Sequence, residues 1–228
     1  MTRPLVTVPE DLIESSSFNW DIDWRGQPGA ESTADTTQVV FNRFPRWVGS
    51  LDPTLTRELI GRWRALRWSA QGRAGIYRLP MLDPAVFNRL SVLSAQQVQL
   101  GNPFSTGSYF STGSGFYPGP YVEAAESAAA GASEVRLTVP MLGLVPVPGQ
   151  IISADDWPMG VTYVIPEGGD TYLVGVQMPL RAAITAGDAI SLVGIGRFEV
   201  TDDLAGRAAY GQHLISTPSI EFREVLAR

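Results

Sequence analysis

One pattern occurs twice in the second half of the chain and constrains its fold more than any other feature of the sequence. The copies cover residues 135–153 and 172–191, and each runs from β-branched residues through a methionine and a bridge to Gly-polar-x-Ile-Ser. Short apolar runs separated by Gly, Pro and Asp are typical of β-strands. Neither copy contains a plausible catalytic group, so the repeat favours a chain that builds surfaces over one that performs chemistry. The matching positions are Val139 with Val176, Met141 with Met178, and Gly149 with Gly187.

The sequence predicts a mainly β protein. Its 228 residues are enough for one large β body or for two small domains. In the second half, prolines fall at the ends of the predicted strands, where a missing N–H removes little hydrogen bonding. The predicted strands of that half are 134–139, 149–153, 161–165, 171–178, 188–193, 196–201, 208–215 and 220–224, and strands are also expected at 36–48 and 75–79.

Composition argues against several classes of function. The formal net charge is −6 and all 17 basic residues are arginines, a balance that disfavours a binder of duplex nucleic acid. Cysteine is absent, which excludes disulfides, thiolate catalysis and cysteine-ligated zinc. No apolar run approaches the roughly 18 residues of a membrane span, and the N-terminus lacks the apolar region of a signal peptide. We therefore expect no membrane partner and a chain that starts in a cytoplasm.

Residues 1–34 are polar and punctuated by proline and glycine, and we interpret them as an N-terminal arm. Three aromatic side chains in this segment, Phe18, Trp20 and Trp24, need a surface on which to bury. Two interpretations are open: the aromatics dock on the parent body, or they dock on a neighbouring subunit. The remainder, residues 35–228, is expected to form one β-rich body.

One amphipathic helix is expected at about 53–70. Asp52 is a suitable N-cap, Pro53 fits the first helical position, and Gly72 is a natural stop. A helix with one apolar face must cover a sheet. The arginines off that face are expected on a solvated or inter-subunit surface. The apolar stripe contains Leu55, Leu59, Trp63 and Leu66, and the arginines are Arg57, Arg62, Arg64 and Arg67.

Residues 101–132 predict an extended loop or arm, because the first part is almost entirely Gly, Ser, Thr and aromatic residues. Such a composition favours neither a helix nor a central strand, while aromatics on a Ser/Gly frame are typical of contact-making loops. Docking on other subunits and stacking on sugar rings are both compatible with it. The sequence S-T-G-S occurs at 105–108 and again at 111–114. The aromatic side chains of the arm are Phe104, Tyr109, Phe110, Phe116, Tyr117 and Tyr121.

The chain offers little for catalysis or metal binding. Its single histidine, His213, falls in a predicted strand, where a lone histidine is usually packed or hydrogen-bonded. The adjacent acids Asp155 and Asp156, and likewise Asp202 and Asp203, lack EF-hand spacing, and we interpret them as turn residues. No nucleophile elbow and no phosphate loop with its lysine is present. A glycosidase-type pair of acids has no sequence signature, so that class stays open but unsupported. We expect no enzyme activity, no metal and no cofactor.

Two further stretches of sequence carry a family resemblance. The first is L-I-G-R-W-R-A-L-R-W-S-A-Q-G-R-A-G-I-Y-R-L-P at 59–80, an amphipathic helix and G-R-A-G before a strand that ends in Leu-Pro. The second is A-G-D-A-I-S at 186–191, followed by R-F-E-V-T-D at 197–202 and the turn A-G-R-A at 205–208. In this order and spacing they resemble the distal tail proteins, a group of minor tail proteins of long-tailed phages and gene-transfer-agent-like particles.

The resemblance covers roughly residues 38–80 and 133–224 and implies a tail-tube type of fold, a β-sandwich or half-barrel flanked by one helix. It implies a homohexameric ring that joins the tail tube to the hub of the tail tip or baseplate. The partners would be further copies of the chain, the tail tube protein and the hub proteins. DNA would pass through the lumen without specific binding. The location would be the tail of the virion, after assembly in the cytoplasm of the bacterial host.

Two alternatives belong to other classes of function. The first is a carbohydrate-binding or receptor-binding module at the tail tip, which predicts exposed, ordered aromatics over 101–121. The second is another minor tail or hub component with a different placement. The N-terminal arm and the arm at 101–132 lie outside the resemblance, so it assigns them no role.

Overall fold

A computed structural model describes residues 3–26, 30–31, 37–38, 45–87, 96, 100–101, 103–104, 106–115, 119–140 and 142–227. The chain divides into two compact units, and we call residues 1–79 with 197–228 the sheet unit and residues 80–196 the barrel unit. This division differs from the predicted arm at 1–34 and single body at 35–228. Strands of the sheet unit come from both of those segments.

The described residues are mainly β, as the sequence predicts. One helix, α1 (Arg57–Ala70), is described over its whole length, and short 3-10 turns occur at Glu10–Leu12, Gly72–Ala74 and Leu142–Leu144. The strands are β1 (Leu5–Thr7), β2 (Ser16–Asp23), β3 (Ala30–Glu31), β4 (Thr37–Gln38), β5 (Arg46–Pro53), β6 (Ile76–Pro80), β7 (Tyr121–Ala124), β8 (Glu134–Thr138), β9 (Ile151–Ala154), β10 (Trp157–Gly168), β11 (Thr171–Gln177), β12 (Ala189–Ser191), β13 (Ile195–Val200) and β14 (Ile220–Glu224).

The sheet unit contains an open six-stranded sheet in the order β1-β6-β13-β14-β5-β2. The β1–β6 pair is parallel, whereas the β13–β14, β14–β5 and β5–β2 pairs are antiparallel. Strands β3 and β4 form a separate two-stranded sheet. Of the strand predicted at 36–48, residue 36 and residues 39–44 lie outside the described part of the chain. The fully buried side chains of the unit include Leu51, Trp63, Tyr77, Leu79 and Phe198.

Helix α1 begins four residues later than the sequence suggests. Thr56, in an extended conformation, precedes the first turn, and the predicted N-cap and N1 residues Asp52 and Pro53 belong to β5 instead. The reason is strand pairing, since Asp52 lies opposite Ser17 of β2 and Leu55 exchanges backbone hydrogen bonds with Ser216. These contacts hold residues 52–55 extended and override the local capping preference. The helix ends at Ala70 because Gln71, rather than the predicted Gly72, first adopts the left-handed conformation.

The buried face of α1 agrees with the prediction at Trp63 and Leu66 and differs at the other two predicted positions. Ile60, Trp63, Leu66 and Ala70 are buried, whereas Leu59 is only half-buried and Leu55 lies before the helix. Trp63 also donates from Nε1 to the carbonyl oxygen of Gly206 at 2.8 Å. This bond ties the helix to the turn that follows β13.

The barrel unit contains a closed six-stranded barrel in the order β10-β11-β8-β7-β12-β9. If β7 is exchanged with β10, β8 with β11 and β9 with β12, the set of neighbouring strand pairs stays the same. The barrel is therefore pseudo-twofold symmetric, and the two sequence repeats are its β8–β9 and β11–β12 segments. Equivalent positions of the two halves fill the core, and the buried pairs are Val122 with Met159, Leu137 with Val174, and Ile152 with Ile190.

The loops that enter β9 and β12 repeat the same hydrogen bonds. The amide of Val147 donates to Oε1 of Gln150 at 2.9 Å, and the amide of Thr185 donates to Oδ2 of Asp188 at 2.7 Å. The amides of Gly149 and Gly187 each donate to a carbonyl of the other half at 2.8 Å, and both glycines have φ of 89°. The side chain of the polar residue after each glycine therefore closes the turn. The glycine itself adopts a positive φ that other residues reach only with strain.

Seven of the eight strands predicted for the second half are present, with ends that differ by a few residues. The strand predicted at 208–215 is wrong. That segment is irregular, with a turn closed by the amide of Leu214 and the carbonyl of Gly211 at 3.1 Å. Just after this segment, Ser216 forms an isolated antiparallel bridge with Leu55. His213 consequently lies exposed in this turn region rather than in a strand.

Candidate interaction surfaces

Strand β2 forms one edge of the open sheet. Among the described residues its eight positions pair with β5 alone, from Ser16 opposite Pro53 to Asp23 opposite Arg46. An edge strand presents backbone N–H and C=O groups that can pair with another chain. The outward side chains Ser17, Asn19 and Asp21 are exposed and polar. Strand β1, which pairs with β6, forms the other edge.

Acidic side chains terminate the β2 edge. Oδ1 of Asp21 accepts from the amide of Ile22 at 2.7 Å, and Oδ1 of Asp23 accepts from the amide of Arg25 at 2.9 Å. The second carboxylate also lies 3.5 Å from Nε of Arg46 on β5. Charges on an edge strand oppose unspecific pairing.

The three aromatics predicted as contacts of an N-terminal arm have different surroundings. Phe18 and Trp20 are half-buried on β2, on the face that packs against the sheet unit itself. The Trp20 ring lies over Gly49 of β5, and its centroid is 5.1 Å from that of Phe198. Trp24 follows the strand and is 53% exposed. Trp20 thus fits the interpretation of docking on the parent body, and of the three Trp24 offers the largest exposed surface.

The segment predicted as an arm contains a sequence signal for β2. Residues 17–23 read Ser-Phe-Asn-Trp-Asp-Ile-Asp, a strict alternation of polar and apolar side chains. This period of two is the pattern of a strand with one buried face. The Pro/Gly content of the flanking residues obscures it.

The segment predicted as an arm at 101–132 contains two consecutive turns of identical sequence, Phe-Ser-Thr-Gly-Ser. In the first, the amide of Phe104 donates to the carbonyl of Ser108 and the amide of Gly107 to the carbonyl of Phe104, both at 2.8 Å. Phe110 makes the same two bonds with Ser114 and Gly113, again at 2.8 Å. Both glycines have positive φ, of 80° and 81°. Each turn is thus a three-residue hairpin loop with glycine in the position that requires positive φ.

The repetition places the two phenylalanines together. The rings of Phe104 and Phe110 meet edge to face with centroids 4.9 Å apart, and their exposed fractions are 37% and 42%. Tyr109 is half-buried. Tyr121 belongs to β7 of the barrel rather than to a loop, and it is 40% exposed. Phe116 and Tyr117, also predicted as contacts, lie outside the described residues.

The adjacent acids and the possible metal ligands have simple surroundings in the described residues. No group of three or more His, Asp or Glu side chains in them could hold a metal ion. The interpretation of Asp155 and Asp156 as turn residues is confirmed, because they form the β9–β10 turn with φ of 45° and 61°. Asp202 and Asp203 likewise lie in the turn after β13.

Neither protein-family models nor curated proteins match the chain. Over the described part of the chain, no helix has both the length and the apolar character needed to cross a membrane.

Proposed function

We propose that this chain is a structural protein at the distal end of a phage tail tube, where copies form a ring that connects the tube to the tail-tip hub. The observation that carries the proposal is the open sheet with two different edge strands, β1 and β2. Unlike edges pair head to tail, and head-to-tail contacts close into a ring when the rotation between copies allows it. The function is mechanical, and we infer no catalytic step.

Charge supports this proposal. A tube that passes DNA benefits from a lumen that does not hold phosphate, and the formal net charge of −6 suits such a surface. The sequence resemblance at 59–80 and 186–208 names the same class of protein. It also supplies the expected ring order of six, together with the tube and hub proteins as partners.

The first prediction concerns the β2 edge and is tested by native mass spectrometry and light scattering. We expect the wild-type protein to form a ring of six. The double variant Asn19→Lys/Asp21→Lys should be monomeric, because it reverses the charge of the edge. Glu221→Lys is the matched control, since β14 has a neighbour on both sides and its exposed acid is not at an edge. The control should form the same ring as the wild type.

The outcomes separate the proposal from the carbohydrate-binding alternative. A wild-type protein that is monomeric at every concentration contradicts the ring. The exposed, ordered pair Phe104 and Phe110 favours the alternative. If that monomer also binds a glycan array, and loses the signal on Phe110→Ala, the alternative replaces the ring proposal.

A further inference from the structure

A cleft of about 610 Å³ lies on the sheet unit, between the second half of α1 and the turn that follows β13. Tyr77 and Val200 line it and are 2% and 3% exposed. Burial raises the pKa of the Tyr77 phenol, so this part of the lining is neutral at physiological pH. Three other lining side chains are open to solvent: Trp68 at 68%, Leu204 at 63% and Tyr210 at 48%. Large apolar side chains exposed together mark a binding surface.

Three guanidinium groups line the same cleft, those of Arg64, Arg67 and Arg207. Cζ of Arg64 lies 5.1 Å from the centroid of the Trp68 ring, and Arg67 donates to the carbonyl oxygen of Asp203 at 3.3 Å. None of the three forms an ion pair with a carboxylate of the described residues, although acids outnumber basic residues in the chain by 23 to 17. The cleft therefore carries positive charge that no carboxylate of the described residues neutralises through an ion pair with these arginines.

The acidic residue that lines the cleft is engaged elsewhere. Oδ1 of Asp203 accepts from the amide of Arg73 at 2.9 Å and from its Nε at 3.3 Å. The backbone hydrogen bond from Arg73 is the main reason that the pKa of this carboxyl lies below its usual range. Asp203 thus stays ionised and paired with Arg73. Arg64, Arg67 and Arg207 are left to pair with a ligand.

We propose that this cleft binds an acidic segment of a partner protein. An apolar side chain of the segment lies among Trp68, Leu204 and Tyr210, and its carboxylates pair with the three arginines. Trp, Tyr and Arg are the residues enriched at the energetic centres of protein interfaces. The planar guanidinium group matches a carboxylate in bidentate geometry. The inference concerns a surface other than the β2 edge and does not depend on the ring.

Single-stranded nucleic acid is the competing ligand, because arginines and aromatic rings also bind it. Two observations favour the peptide. The net charge of −6 repels a polyanion at long range. Leu204, the aliphatic member of the exposed cluster, offers no ring on which a base could stack.

The test measures fluorescence anisotropy of a fluorescein-labelled peptide, Glu-Glu-Leu-Phe-Asp-Glu, with the full chain. We expect binding that weakens as salt concentration rises. The variant Arg64→Glu/Arg67→Glu/Arg207→Glu should lose at least about tenfold in affinity, because like charges then face each other. Trp68→Ala should lose about tenfold through the missing apolar contact. Arg57→Glu, on α1 but outside the cleft, is the matched control and should bind as the wild type does.

Peptide variants test the same proposal on the unaltered protein, so the result does not depend on how a substitution folds. A peptide with lysine at each acidic position, and one with Gly-Ser in place of Leu-Phe, should each bind at least about tenfold more weakly. Equal affinity for all three peptides would overturn the proposal. Tighter binding of a single-stranded oligothymidine than of the acidic peptide would overturn it in favour of nucleic acid. Unchanged affinity in the cleft variants would also overturn it.

Discussion

At the residue scale, two aromatic rings lie over glycines on neighbouring strands. Trp20 lies opposite Gly49, and Tyr163 lies opposite Gly175. In both pairs a Cβ on the glycine would overlap the ring. The absent side chain lets the ring cover the backbone of the adjacent strand, which compensates for the weak strand preference of glycine. Tyr163 also donates a short hydrogen bond to Glu134.

The substitution Gly49→Ala tests this packing. The added Cβ would lie 2.7 Å from the carbonyl oxygen of Asn19 and would displace the Trp20 ring, so we expect a loss of about 1–3 kcal/mol in unfolding free energy. Gly61→Ala is the control, because Gly61 lies inside α1 with nothing within 4 Å of its added Cβ. There the change should stabilise the protein by about 0.5–1 kcal/mol.

Urea unfolding followed by tryptophan fluorescence measures both variants. Five of the six tryptophans belong to the sheet unit, with Trp157 as the exception, so the signal reports mainly on that unit. Equal midpoints for Gly49→Ala and the wild type would contradict the role assigned to the close Trp20 contact.

The repeat acts at the scale of elements, because it places equivalent strands in the two halves of one barrel. Neither half closes alone: β8 pairs with β11, and β9 pairs with β12, across the pseudo-twofold axis. Leu173 lies opposite Arg136, and Ser191 lies opposite Ser153, at positions that match each other in the two repeats. Two paired strands of this length are only marginally stable by themselves, so closure of the barrel stabilises both halves together.

The pseudo-symmetry predicts equal costs for equivalent substitutions. Gly149→Ala and Gly187→Ala should each destabilise the barrel by about 1–2 kcal/mol, because φ is 89° at both positions and no atom lies within 4 Å of an added Cβ. The effect is therefore backbone strain alone. Gly211→Ala, which also meets open space but has no positive φ, is the control. Hydrogen exchange gives the free energies, from the barrel amides for Gly149→Ala and Gly187→Ala and from the sheet-unit amides for Gly211→Ala. A clear difference between the two barrel variants would contradict equivalence.

At the scale of the whole molecule, the barrel unit is an insertion in the sequence of the sheet unit. The barrel unit follows β6 and precedes most of β13, and these two strands are neighbours in the sheet. The ends of the insertion are close, since the amide of Met81 donates to the carbonyl of Gly194 at 2.6 Å. Insertions with adjacent ends are compatible with independent folding.

Residues 80–196 expressed alone should therefore fold, because they contain all six strands of the closed barrel. We expect a cooperative thermal transition by circular dichroism and dispersed amide resonances. The truncated fragment 80–177 is the control, since it lacks β12 and leaves β7 and β9 without that shared neighbour. A fragment 80–196 that is unfolded under native conditions would show that the barrel requires the sheet unit.

The sequence by itself determined the mainly β class, the amphipathic face of α1 around Trp63 and Leu66, and the repeat that became the barrel. These features depend on local periodicity and on glycines with positive φ, and both are properties of short segments. Tertiary structure decided the rest, because it depends on pairing between distant segments. The period of two at 17–23 signals a strand, but only the pairing with β5 places it at the edge of the sheet. Residues 52–55 are extended because Ser17 and Ser216 pair with them, and 208–215 is irregular and has no partner strand among the described residues. The cleft joins α1 to a turn about 140 residues later, a proximity that no local pattern encodes.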